Sequence, residues 1–141
     1  MNASVRPGKD VPTEGSLVYM PGEGKSVPTR DVSMTYKAVR ADTNGAWMLV
    51  EYTAPPHFAG PPSHRHEQML AGFYILSGTL TIQLEERLVK APAGSFLLVP
   101  PGVVHKFSNE EVVPATFLIF ISPAGTEQEL ATWITPPPES G

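Results

Sequence analysis

The chain has 141 residues, a net charge of -4 and 41% hydrophobic residues, which suits one hydrophobic core and gives no electrostatic reason to seek nucleic acid. It contains no cysteine, which excludes disulfides, thiolate ligands and a cysteine nucleophile, so any metal must be held by nitrogen and oxygen. No window approaches the roughly 20 apolar residues of a membrane span, and the opening MNASVRPGKDVPTEG lacks the apolar centre of a signal peptide; a cytoplasmic setting without a membrane partner is expected.

Sixteen prolines and twelve glycines punctuate the chain. Interior proline at this density argues against long helices and marks many turns and strand ends, so the fold is expected to be all-β. Residues 1–15 read as a loose arm, 16–135 as a single domain, and the proline-rich 136–141 as an extended tail. Strands are expected at Ser16–Met20, Val32–Val39, Ala46–Thr53, Phe73–Leu76, Thr79–Glu85, Ser95–Val99, Val103–Phe107 and Ala115–Ile121. PGEGKS at residues 21–26 has a phosphate-loop look but lacks the required glycine spacing, and reads as a turn. Ser77-Gly78 and Glu85-Glu86-Arg87 are turn candidates. TLTIQLE alternates, with Leu80, Ile82 and Leu84 on one face and Thr81, Gln83 and Glu85 on a wet one. Phe117–Ile121 is apolar at every position, which predicts burial on both faces near the middle of the fold. Met48, Val50, Tyr52, Met69, Phe73, Ile75, Phe96, Leu98, Phe107, Phe117 and Ile119 are expected inside. The one credible helix is GTEQELATWI, capped by Ser122 or Thr126, with Leu130, Trp133 and Ile134 spaced to dock on the strands. Strands this short and this frequent suggest a barrel or double-sheet jelly roll.

The stretch His64–Gly78 reads HRHEQMLAGFYILSG. In extended chain, residues i and i+2 share a side, so His64 and His66 present both imidazoles to one point and Arg65 points away, the geometry a metal requires. Downstream, GSFLLVPPGVVHKFSN reads as strand, Pro-Gly turn and strand, returning His105 toward the same mouth. His57, in APPHFAGPP, reads as a loop residue at the entrance. Lys106 should point opposite His105 and reads as a surface charge.

These two segments resemble the cupin superfamily. Its second motif, GxxxxxPxGxxHxxxN, is matched at Gly94, Pro100, Gly102, His105 and Asn109; its first, GxxxxxHxHxxxxExxxxxxG, is matched at His64, His66 and Gly78. YMPGEG and FISPAGTEQEL also look like small single-domain cupins grouped near quercetin dioxygenases, and the resemblance spans roughly Leu17–Ile134. It implies a double-stranded β-helix, a jelly-roll barrel with a short C-terminal helix, and commonly a homodimer. Two departures stand out. Gly60 stands only four residues before His64, and the slot usually filled by a glutamate ligand holds Ala71.

With that carboxylate absent, the resemblance implies a divalent metal (Fe, Ni, Mn, Cu or Zn) on His64, His66 and His105, as in three-histidine cupins that include diketone-cleaving and thiol dioxygenases. A divalent ion with only neutral donors keeps its full charge and favours an anionic ligand such as an enolate. Gln68 shares parity with the histidines and Glu67 does not, but a bulge before Ala71 would let either fold back as a ligand or acid/base group. Three functions fit: a dioxygenase acting on an enolisable or phenolic small molecule of flavonol or β-dicarbonyl type; a non-redox Lewis-acid cyclase, dehydratase or isomerase with Glu67, Gln68 or Tyr74 moving protons; and a non-catalytic small-ligand binder.

Overall fold

The computed structural model describes residues 15–135; the tail and all but the last residue of the expected N-terminal arm lie outside them. The strands are β1 (Lys25–Val27), β2 (Ser33–Ala38), β3 (Met48–Ala54), β4 (Leu70–Ser77), β5 (Thr79–Leu84), β6 (Arg87–Pro92), β7 (Phe96–Val99), β8 (His105–Ser108) and β9 (Ala115–Ser122), followed by helix α1 (Glu127–Ile134). They form two antiparallel sheets, a six-stranded one in the order β1-β2-β3-β9-β4-β7 and a three-stranded one in the order β6-β5-β8. The chain is therefore mostly β with one short C-terminal helix, a jelly-roll sandwich. No helix among the described residues is long and apolar enough to cross a membrane.

Alternation builds the core. β3 buries Met48, Val50, Tyr52 and Ala54 and turns the residues between them outward. β9 lies between β3 and β4, at the centre of its sheet as its apolar run implies. Its two faces are not equally dry, however: Phe117, Ile119 and Ile121 are buried, while Leu118 and Phe120 are only half covered. Trp47 supplies part of that outer cover, stacked on Phe120 with ring centroids 5.6 Å apart. Inside, Tyr52, Phe73, Phe107 and Phe117 form an aromatic cluster with centroid separations such as 5.1 Å for Tyr52–Phe117 and 5.4 Å for Phe107–Phe117. Each such ring contributes on the order of 1.5–3 kcal/mol by leaving water, and Phe107 of β8 joins the three-stranded sheet to the larger one through this cluster.

Two expectations need correction, and β6 forms where no strand was expected. Ser16–Met20 is not a strand; the edge of β2 that it would need is taken by β1. β6 joins β5 through the two-residue turn Glu85-Glu86, and its charged, proline-ended sequence RLVKAP is that of an edge strand rather than an alternating one. In β7 it is Leu97 and Val99 that turn inward, while Phe96 and Leu98 are exposed, a one-residue change of parity that reverses the face.

α1 is fastened to the six-stranded sheet along its length. Thr126 is the cap: its Oγ1 accepts from Glu129 N at 3.0 Å and its N–H donates to Glu129 Oε1 at 2.9 Å, a capping box. Leu130 and Ile134 are buried in the core. Tyr36 Oη donates to Glu127 O at 3.1 Å and Tyr52 Oη donates to Ile134 O at 2.5 Å, one at each end of the helix. Burial pushes the Tyr36 phenol up to about 12 and raises that of Tyr52 as well, so both remain O–H donors.

Candidate metal centre

The segment that carries the first two histidines is not a regular strand. It is laid beside β8 by two isolated bridges, Phe58 against Asn109 and His64 against His105. Six residue steps on one side face four on the other, so the chain must bulge between the bridges, at Gly60-Pro61-Pro62. Glycine is required there: Gly60 has φ +85°, and a Cβ on it would lie 1.9 Å from Phe107 O. This accounts for the displaced glycine of the first motif. Lys106, expected as a plain surface charge, ties the bulge down by donating from Nζ to Ala59 O at 2.5 Å and to Pro61 O at 3.1 Å. Burial lowers its pKa. Asn109 anchors the far end: its buried Nδ2 donates to Ala54 O, Pro55 O and Val113 O, and its Oδ1 accepts from Glu111 N.

His64, His66 and His105 come together, with ligating nitrogens all within 4.8 Å of one another. The bridge sets His64 directly opposite His105, and Gly102 N–H donating to His66 O at 2.7 Å continues the pairing. Ring centroids are 4.4 Å apart for His64–His105, 4.8 Å for His64–His66 and 5.4 Å for His66–His105. Nδ1 of His64 lies 3.1 Å from Pro62 O and Nδ1 of His105 lies 2.9 Å from Val103 O. A carbonyl only accepts, so each Nδ1 carries the proton and each Nε2 lone pair is left for a metal, the usual orienting arrangement for ligating histidines. His66 packs instead against Trp133, with centroids 4.3 Å apart. Phe73 stands beneath His105 at 6.4 Å.

All three imidazoles are held neutral. Burial lowers each pKa, most for His66, which falls to about 4 with further lowering from His64 and His105. Neutral nitrogen donors in this number suit a borderline divalent ion such as Fe, Ni, Mn, Cu or Zn rather than calcium or magnesium. Imidazoles at about 2.0–2.1 Å from one ion stand about 3–3.4 Å apart, so modest ring rotations would close the set found here. The residues fit the group.

The other sequence candidates are not brought to the cluster. Glu67 is exposed and pairs with Arg65, Oε2 to Nε 2.8 Å. Gln68 is also exposed. Tyr74 is on the outer face of β4, 44% exposed, because Ala71, Phe73 and Ile75 take the inner one. Ala71 is buried, paired with Val99 and Ile121, so the usual glutamate slot holds a core methyl. His57 is an exposed loop residue at φ +56°, its N–H bonded to Glu111 O. The residue that sequence reasoning assigned only to docking is Trp133, half-buried on α1 beside buried Leu130 and Ile134, with its indole against His66.

The sheets, the two motif segments and the histidine cluster define a jelly-roll β-sandwich with three histidines placed where they could hold a metal ion. A family model described as "Cupin domain" matches residues 50–121, and the chain belongs to the cupin family. Among curated proteins it is 26% identical over 126 residues to quercetin 2,3-dioxygenase of Bacillus subtilis, covering 82% of this chain and 37% of that protein; the chain spans little more than a third of that relative's length. Among solved structures it resembles an RmlC-like cupin from Shewanella frigidimarina, with TM-score 0.64, 16% identity and coverage of 79% of this chain and 92% of the other. A predicted oxalate decarboxylase from Thermotoga maritima gives TM-score 0.60 and 25% identity over 65% of this chain and 80% of that one.

Proposed function

We propose that the protein is a metal-dependent dioxygenase acting on an enolisable or phenolic small molecule of flavonol or β-dicarbonyl type, with the ion held by His64, His66 and His105. The observation that carries this reading is a largely buried cluster of three neutral imidazoles that no carboxylate of the described residues joins. Such an ion, when bound, supplies Lewis acidity and a path for electrons between an electron-rich organic anion and dioxygen. The protein's own part is to present three fixed nitrogens, to leave the ion's charge uncompensated so that an anionic substrate is preferred, and to exclude water. Trp133, half-buried beside His66, gives the mouth an aromatic side suited to a planar substrate. The likeness to quercetin 2,3-dioxygenase supports the same direction.

Non-redox cyclisation or dehydration would need a proton-moving group beside the ion, and the exposed positions of Glu67, Gln68 and Tyr74 favour the oxygenase reading over it. The test is metal analysis of protein purified without added metal, coupled to oxygen uptake with a flavonol and with a β-diketone. Uptake by a reconstituted form supports the proposal; a stoichiometric zinc site with no uptake in any reconstituted form overturns it in favour of Lewis-acid chemistry. As part of the same reading we place a second copy of the chain on the outer face of β4 and β7.

A further inference from the structure

The three imidazoles are not held in the same way. His64 and His105 each have a carbonyl against Nδ1, from Pro62 and Val103. His66, 8% exposed, has the Trp133 indole, 4.3 Å away between centroids and tilted by 57°. That indole is carried by a helix with little freedom to move. Tyr36 and Tyr52 hydrogen-bond its first and last residues, Leu130 and Ile134 sit in the core, and the capping box fixes its entry.

We propose that Trp133 is a positioning residue for His66, so that α1, which supplies no ligand, sets the metal affinity of the centre. An imidazole packed this closely against an indole, with the two planes tilted by 57°, cannot rotate freely about its Cβ–Cγ bond, and its ligating nitrogen stays turned toward those of His64 and His105. Orienting partners of metal ligands change metal affinity by about 10–100-fold when removed, and the indole fills that place for the one histidine oriented by a ring. The inference rests on the three-histidine reading above.

The experiment uses the full chain carrying Trp47→Phe, which leaves Trp133 as the sole tryptophan and keeps an aromatic ring on Phe120. Copper(II) and nickel(II) are titrated while Trp133 fluorescence is followed, and affinities are obtained by chelator competition. Saturable quenching at one equivalent is expected, abolished by His105→Ala. Trp133→Leu should weaken binding by about 10–100-fold and Trp133→Phe by less than about threefold. Tyr52→Phe, which frees the end of α1 without touching indole or ligands, should weaken binding in the same direction while the circular dichroism of the strands is unchanged. This variant keeps the test valid if Trp133→Leu fails to fold. Unaltered affinity in Trp133→Leu or, if that does not fold, in Tyr52→Phe overturns the positioning role while leaving the three-histidine centre intact. Absence of saturable binding in the Trp47→Phe parent and in the natural chain instead overturns the centre itself, and the positioning role with it.

Discussion

His64 and His105 face each other across an isolated antiparallel bridge: His64 N–H donates to His105 O at 3.0 Å, His105 N–H donates to His64 O at 2.8 Å, and their rings stand 4.4 Å apart. The backbone thus joins the two halves of the site before any ion is bound. An ion would add a side-chain link to a main-chain one, so metal removal should lower stability without unfolding the sandwich. At free metal a hundredfold above its dissociation constant, the gain is about 2.7 kcal/mol. Thermal melts before and after chelation should differ by several degrees, with the strand signal of the chelated protein retained below its transition.

The pH dependence has a defined sign. The folded pKa of His66 is lowered to about 4, against about 6.5 for an unfolded histidine, and those of His64 and His105 are lowered as well. Between these limits the unfolded chain takes up protons that the folded one refuses. Stability of the metal-free protein should therefore be fully present above about pH 6.5 and decline as pH falls toward 4. Denaturant midpoints across this range check the decline, and an imidazole NMR titration of His66 with an ordinary midpoint near 6.5 would contradict its cause.

Gly60→Ala should be among the most damaging single changes. It places a side chain at φ +85° and 1.9 Å from Phe107 O, so the bulge ahead of His64 must open, at a cost of more than about 2 kcal/mol. Gly94→Ala is the control: φ is +91° but nothing lies within 4 Å of the added carbon, and about 1 kcal/mol is expected. Urea melts of the two variants measure the difference, and metal affinity should fall only in the first.

Asn109 satisfies the cupin motif for structural reasons, and its variant should behave so. Asn109→Ala would strip a partner from three carbonyls and from Glu111 N–H, costing about 2–4 kcal/mol. Folded protein at low temperature should still bind metal, and loss of binding without loss of stability would contradict this assignment.

The proposed pairing of two copies through β4 and β7 is argued from Phe96 and Leu98, 63% and 53% exposed, beside Tyr74 and Leu76. The patch carries no charge on these strands, so a two-fold arrangement meets no like-charge repulsion. Sedimentation should give a dimer for the natural chain and a monomer for Phe96→Glu.

Much of the site was legible because its spacing is imposed by backbone demands. A Pro-Gly turn between β7 and β8 returns His105 to the histidine pair, and Gly78 must be glycine because a Cβ would stand 2.4 Å from Pro114 O. What failed was side-chain parity wherever the strand frame breaks. Residues 65–69 are irregular, so alternation counted from His66 does not reach Glu67 or Gln68, and counting Tyr74 as a pocket residue overlooked that Phe73 shares the inner face with Ala71. β1 and β6 lack alternation because both faces of each are largely exposed. Trp133 acts across a contact between distant parts of the chain, which no local pattern encodes.

His64, His66 and His105 are proposed to hold one divalent ion between them. Inductively coupled plasma mass spectrometry of the natural chain and its three single histidine-to-alanine variants, each confirmed folded and dialysed against the same metal mixture, tests it most directly. A single ion per natural chain and near-complete loss in every variant are expected; undiminished metal in His105→Ala, or a natural chain that takes up none, would show that the three histidines do not share an ion.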